Sequence, residues 1–235
     1  MKTIIFYGLR RSGNHFVIST LLQQFNNAVH INDTKLSFDN YIKYSRIPMT
    51  CQRSDVSYTG FKNTECVILS MENKPVDMLE LSKFNKIPDT HVVILIRNPY
   101  NTMASAWKIY MLRDKPTPGK VNDIIKLWPV YAQLFLNNNT FVKIIYDKYC
   151  ESPEYIDTCL HKMKILKKGI DINKNIKWQC SSFKDEDNCR KTWGTFEDNI
   201  FYNLHEYRQL FTGNQIHKLW SNIIRDEATH VITGN

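Results

Sequence analysis

T-I-I-F-Y-G-L-R-R-S-G-N-H-F-V-I-S-T-L-L, at residues 3–22, changes its periodicity once, and the change is a strand giving way to a helix. Thr3 to Tyr7 is a short apolar run that ends at Gly8, and the polar turn Leu9-Arg10-Arg11-Ser12-Gly13 follows. Beyond it Val17, Ile18, Leu21 and Phe25 recur at helical spacing. A glycine-bearing turn between a first strand and a helix directs backbone N–H groups at one point. The positive end of the helix dipole adds to them, so the spot suits a phosphate or sulfate. Arg11 brings a planar fork of donors matched to tetrahedral anions, and Ser12 a hydroxyl. Gly8 and Gly13 have the separation of G-x-x-x-x-G-K-[ST], but Asn14 and His15 stand where the Lys and the hydroxyl belong. The loop is therefore not the nucleoside-triphosphate P-loop, and it offers no obvious Mg²⁺ ligand. The same residues also suit an ordinary βα turn with solvated arginines.

Further along, Cys66 to Met71 and His91 to Ile96 read as buried strands, the second continuous and β-branched as a central parallel strand should be. Asn98 and Pro99 then provide an N-cap and a first helical residue, with Met103, Ala106, Trp107 and Tyr110 on one stripe. A helix from about Val121 to Phe135 follows, with Pro129 expected to kink it. Phe141 to Tyr146 reads as another strand, and Ser152-Pro153 opens a helix through Leu160 and Met163. Short amphipathic helices are expected around Leu204–Phe211 and Ile216–Ile224. Residues 32–62 and 170–198 are polar and irregular. Strands alternating with helices predict an α/β chain with a parallel sheet covered on both faces. Arg97 falls at the C-terminal end of the strongest strand, where such sheets bind ligands. Ser105 lies about 200° around the helix from Met103, opposite the core stripe, and so is either solvated or facing a ligand.

The chain has 235 residues, enough for one α/β domain, with 43% hydrophobic and 23% charged residues, which excludes a disordered or fibrous chain. Lys and Arg number 31 against 23 Asp and Glu, a net +8 that favours anionic partners without choosing among them. The six cysteines form no CxxC pair and are too sparse for a disulfide scaffold, so a zinc site is not expected. No apolar run approaches the length of a membrane helix, and the N-terminal run is too short for a signal peptide; a cytoplasmic chain with no membrane span is the expectation.

Taken together, the first loop and the Arg97 segment resemble the P-loop-like sulfotransferase family, whose members transfer a sulfuryl group from 3′-phosphoadenosine 5′-phosphosulfate (PAPS). R-R-S-G-N-H-F, residues 10–16, is similar to the family's P-[KR]-S-G-T-T-W loop that cradles the 5′-phosphosulfate. Arg11 takes the basic position, Ser12 and Gly13 agree, and Asn14 and His15 replace the two threonines. V-I-L-I-R-N-P-Y-N-T-M-A-S, residues 93–105, resembles the strand and helix in which an arginine and a serine eight positions later hold the 3′-phosphate; Arg97 and Ser105 fit. I-I-Y-D-K, residues 144–148, is similar to the family's V-x-Y-E-D-L strand end. C-R-K-T-W-G, residues 189–194, resembles the R-K-G loop over the 3′-phosphate with its glycine displaced, which brings in Arg190 and Lys191.

The resemblance implies a three-layer parallel sheet flanked by helices, the P-loop NTPase-like sulfotransferase fold, as a single domain over residues 1–235. It implies PAPS as donor co-substrate, no metal, and Arg10, Arg11, Ser12, Gly13, Asn14, His15, Arg97, Ser105, Arg190 and Lys191 as its contacts. Arg11, always charged, would act by electrostatic stabilisation rather than by proton donation. The family's base comes either from just after the loop's helix or from the end of the strand before the arginine strand. The second position points to Glu72, with His30 and Asp33 as rivals; His91, at the far edge of its strand, is rejected. Some secreted relatives staple a loop like that holding Cys180 and Cys189, thiols expected here to be reduced. The acceptor, a small molecule or a glycan, is not legible, with a lipid head group and a peptide tyrosine equally open; neither is the oligomeric state. No specific nucleic acid is expected as a partner. A nucleotide-dependent phosphotransferase and a non-catalytic binder of nucleotide or polyanion stand as the alternatives.

Overall fold

The structure, a computed structural model, describes residues 1–32, 37–39, 41–42, 49–50, 57–58, 61, 63–84, 86–111, 115–169 and 214–232. Five parallel strands form its centre: β1 (Lys2–Gly8), β2 (Ala28–Ile31), β5 (Cys66–Glu72), β6 (Thr90–Ile96) and β7 (Val142–Ile145), in the order β2-β5-β1-β6-β7. Two short segments, β3 (Met49–Thr50) and β4 (Ser57–Tyr58), pair antiparallel apart from it. The helices are α1 (Asn14–Leu22), α2 (Met78–Phe84), α3 (Pro99–Tyr110), α4 (Pro118–Asn137), α5 (Tyr146–Glu151), α6 (Pro153–Lys162) and α7 (Asn214–Ile232).

The period of two along each strand sorts the side chains into two cores. Ile4, Phe6, Ile68, Val93, Leu95 and Ile144 meet α1, α5 and α6 on one face. Ile5, Tyr7, Val67, Leu69, Ile94, Ile96 and Ile145 meet α2, α3, α4 and α7 on the other. This is the expected three-layer α/β architecture. The chain leaves β1 toward one face and leaves β5 and β6 toward the other, so the helices part at the carboxyl end of β1. Open parallel sheets bind ligands in such crevices. The register aligns the rim there: Gly8 stands opposite both Glu72 and Leu95, and Ile96 opposite Ile145.

Most elements lie where the sequence puts them, with shifted ends. The strand expected over Phe141–Tyr146 stops at Ile145, because Tyr146 opens α5. The helix expected over Val121–Phe135 runs from Pro118 to Asn137, and Pro129 lies inside it without ending it. The last helix extends well beyond Ile224. The helix expected over Leu204–Phe211 lies outside the described residues.

The loop after β1 is held in an unusual backbone conformation. Arg11 has φ 71° and Gly13 φ 88°, both left-handed. Gly13 also lies flat against Tyr146, so that a Cβ at this position would fall within the aromatic ring. Tyr146 in turn packs edge-on against Phe16 of α1, with centroids 6.1 Å apart. Gly13→Ala therefore meets both a forbidden φ and a wall. The expected loss is roughly 2–4 kcal/mol of unfolding free energy, and a chemical denaturation midpoint equal to the wild type's would contradict this account of the loop.

Candidate functional site

The side chains of the loop divide between support and exposure. Asn14, almost fully buried, turns its amide inward and donates from Nδ2 to the Leu9 carbonyl at 3.0 Å and to Glu72 Oε1 at 3.1 Å. Arg10 donates from its backbone N–H to Asn73 Oδ1 at 2.7 Å and from Nε to Glu72 Oε2 at 3.4 Å. Glu72, the last residue of β5, thus clasps the loop with both oxygens. Ser12 is buried, and its Oγ has no hydrogen-bond partner within the protein. His15, the second residue of α1, is exposed, with Nε2 3.7 Å from Glu72 Oε1.

On the other side of β1, Arg97 follows directly on β6. Its Nη1 donates to the Arg11 carbonyl at 3.0 Å, and its guanidinium carbon stands 5.0 Å from the centre of the Tyr146 ring. That distance suits a cation over an aromatic face. Its Nε is buried without an acceptor, and among the described residues no carboxylate pairs with it. Trp128 of α4, fully buried, donates from Nε1 to the Arg97 carbonyl at 3.1 Å. Asn98 caps α3 by accepting from the N–H groups of Tyr100 and Asn101, while its own N–H donates to Asp147 Oδ2 at 2.8 Å. The cap orients α3 so that Ser105, buried, accepts from Arg11 Nε at 3.2 Å. Burial, with the Arg97 charge among the smaller contributions, lowers the proton affinity of Arg11 below the ordinary arginine range. The guanidinium groups of Arg11 and Arg97 come together at the carboxyl end of β1, an arrangement that attracts a multiply charged anion.

Of the residues singled out in the sequence, Arg10 to His15, Glu72, Arg97 and Ser105 gather at this rim. Arg190, Lys191, Asp33, Cys180 and Cys189 lie outside the described residues. Among the described residues no group of three or more His, Cys, Asp or Glu is placed to hold a metal ion. No helix among them is long and apolar enough to cross a membrane.

His30 belongs to a chain that the sequence reading passed over. Ser70 donates its hydroxyl proton to Asn32 Oδ1 at 3.0 Å, so the 2.9 Å contact between Ser70 Oγ and His30 Nε2 requires His30 to donate. The signal was available: Ile68, Ser70 and Glu72 share one face of β5, and that face turns polar at the rim. Tyr146, read only as the end of a strand, is also a structural part of the site.

The fold has counterparts of known structure. Mouse sulfotransferase SULT7A1, solved in complex with PAP, superposes with a TM-score of 0.53 at 13% identity, covering 98% of this chain and 89% of that one. A sulfotransferase from Alicyclobacillus acidocaldarius gives a TM-score of 0.45 at 11% identity over 88% of this chain and 99% of that one. Neither a family model nor a curated relative matches the sequence. The chain has the sulfotransferase fold, an α/β architecture with an all-parallel central sheet.

Burial, followed by the charge of His15, lowers the proton affinity of His30 to a pKa of about 4. The unfolded ring would titrate near 6.5, so between these values the unfolded state holds more protons, and stability falls as pH falls. At pH 5 this one group removes about 2 kcal/mol relative to neutral pH. Urea unfolding of wild type and His30→Gln at pH 7.5 and pH 5 should show the wild type losing more by about that amount; equal losses would rule out a buried neutral His30.

Proposed function

We propose that the protein is a sulfotransferase that takes its sulfuryl group from PAPS and passes it to a hydroxyl or amine acceptor. The observation that carries the reading is the unanswered donor capacity of the crevice. Arg97 Nε and Ser12 Oγ are buried without hydrogen-bond partners within the protein, with the Arg11 guanidinium close by. Buried polar atoms are rarely left unpaired unless a ligand completes them, and donors of this kind suit phosphate and sulfate oxygens. The mouse sulfotransferase of the same fold, bound to PAP, supports the choice of nucleotide.

Arg97 and Ser105 would hold the 3′-phosphate. Arg11, Ser12 and the loop N–H groups would hold the 5′-phosphosulfate, with Arg190 and Lys191 as further contacts. When bound, PAPS supplies an activated sulfuryl group. Arg11 contributes a fixed positive charge where negative charge grows on the departing phosphate oxygen, and it has no proton to give at neutral pH. The loop N–H groups and the α1 dipole act in the same direction, already oriented before the ligand arrives.

Calorimetry with 3′,5′-ADP and with ATP, each with and without Mg²⁺, tests this against the two alternatives. The expected outcome is binding of 3′,5′-ADP in preference to ATP without metal. Ser105→Ala should weaken it by about tenfold, and Arg97→Gln by more than that. Metal-dependent ATP binding would mark a phosphotransferase. Salt-sensitive binding to polyanions without nucleotide preference would mark a non-catalytic binder.

A further inference from the structure

The rim of the sheet carries two different chemistries on the two sides of β1. Arg97 and Ser105 lie on the β6 side, with Arg11 tied to both. Glu72 and His30 lie on the β5 and β2 side with His15 beside both, and Glu72 is near enough to Arg11 for its charge to act on that guanidinium. We propose that His15 is the base that removes the acceptor's proton and that Glu72 positions it; this rests on the sulfuryl-transfer reading above and assigns the part that reading left open.

Glu72 is poorly suited to be the base itself. Oε1 accepts from Asn14 Nδ2 and Oε2 from Arg10 Nε, so both oxygens are engaged in holding the loop. Taking a proton would weaken the clasp that shapes the anion loop. His30 is a weak base, because burial lowers its proton affinity to a pKa of about 4, and its Nε2 donates to Ser70. His15 differs from both. Its side chain, on the second residue of α1, is 47% exposed, with Nε2 3.7 Å from Glu72 Oε1. That distance is an ion-pair approach, and catalytic hydrogen bonds often tighten only when the reacting complex forms. With Nε2–H directed at the carboxylate, Nδ1 carries the lone pair. A carboxylate behind an imidazole fixes its tautomer and stabilises the imidazolium. Among the described residues His30 on β2 also faces this ring, at a ring-centroid distance of 6.4 Å and neutral at working pH, and Glu72 itself is shared with Arg10.

As the acceptor oxygen forms its bond to sulfur, the bond between sulfur and the donor's phosphate oxygen breaks, and its electron pair leaves on the phosphate. The acceptor's proton passes to His15 Nδ1. The resulting imidazolium is held against Glu72 and then returns the proton to water.

The test combines three measurements on the full chain. These are 3′,5′-ADP release from PAPS across about pH 5 to 9 with water, chitotetraose or 1-pentanol as acceptor; calorimetry with 3′,5′-ADP; and nitrogen-15 shifts of the His15 ring. His15→Gln keeps a side-chain donor at this nucleotide-loop position but no base, so it should bind 3′,5′-ADP within about threefold of wild type, lose about 100-fold or more in rate and lack the acidic limb of the pH profile. His15→Asn serves as a second variant in case Gln disturbs the turn. The wild-type ring should be the Nε2–H tautomer, and Glu72→Gln should weaken that preference. A wild-type rate and acidic limb in His15→Gln would overturn the proposal and leave the nucleotide reading standing. So would an Nδ1–H tautomer in the wild type, or a loss of 3′,5′-ADP affinity in proportion to rate. Wild-type protein that does not bind 3′,5′-ADP would overturn both.

Discussion

The hydrogen bond from Arg97 Nη1 to the carbonyl of Arg11 joins the two halves of the rim. Arg11 sits in a left-handed conformation that an L-residue adopts only under constraint. Its carbonyl is pinned by the guanidinium at the end of β6, and its own guanidinium by Ser105 on the following helix. Arg97 is steadied in turn by Tyr146 on one side and, through its carbonyl, by the Trp128 indole on the other. Like charges are thus brought together before any ligand is present. Folding bears the repulsion, and an anion entering the crevice relieves it. The donors need little reorganisation on binding, which is where preorganised sites gain over flexible ones.

The same loop is tied on its other flank by a carboxylate. Glu72 reaches Arg10 and Asn14, so the turn lies between a negative clasp on β5 and a positive one on β6. This follows from strand order and register. β5 and β6 both neighbour β1, and Glu72 stands opposite Gly8, the residue that opens the turn. Gly8 is needed there because a Cβ would collide with the Asn14 amide that joins the turn to Glu72. Backbone spacing and charge placement are therefore one constraint, set by where the strands end.

Much of this could be read from the chain. The switch from strand to helical periodicity around Gly8 and Gly13 located the loop, and the β-branched run before Arg97 located the strand beside it. What periodicity could not supply was direction within the turn. The Asn14 amide nitrogen also holds the turn together, because a buried turn has carbonyls of its own to satisfy and the Leu9 oxygen lies in reach. Ser105 was read as either solvated or ligand-facing; it is buried with Arg11 as its donor. Tyr146 was assigned to a strand because its apolar neighbours continue the pattern, whereas the backbone turns into a helix at that residue. The His30–Ser70–Asn32 chain joins residues forty positions apart, which only the pairing of β2 with β5 brings together.

The two residues that open α1, Asn14 and His15, then have separate roles in the structure. At position 14 an amide spans the distance from the Leu9 carbonyl to Glu72, so the turn is closed by a side chain that stays out of the crevice. That leaves position 15 without a closing role. Its ring stands exposed at the first turn of α1, 3.7 Å from Glu72 Oε1 at the end of β5. Arginine carries a fixed charge whereas an imidazole can exchange a proton, so positions 11 and 15 bring different chemistry to the same loop.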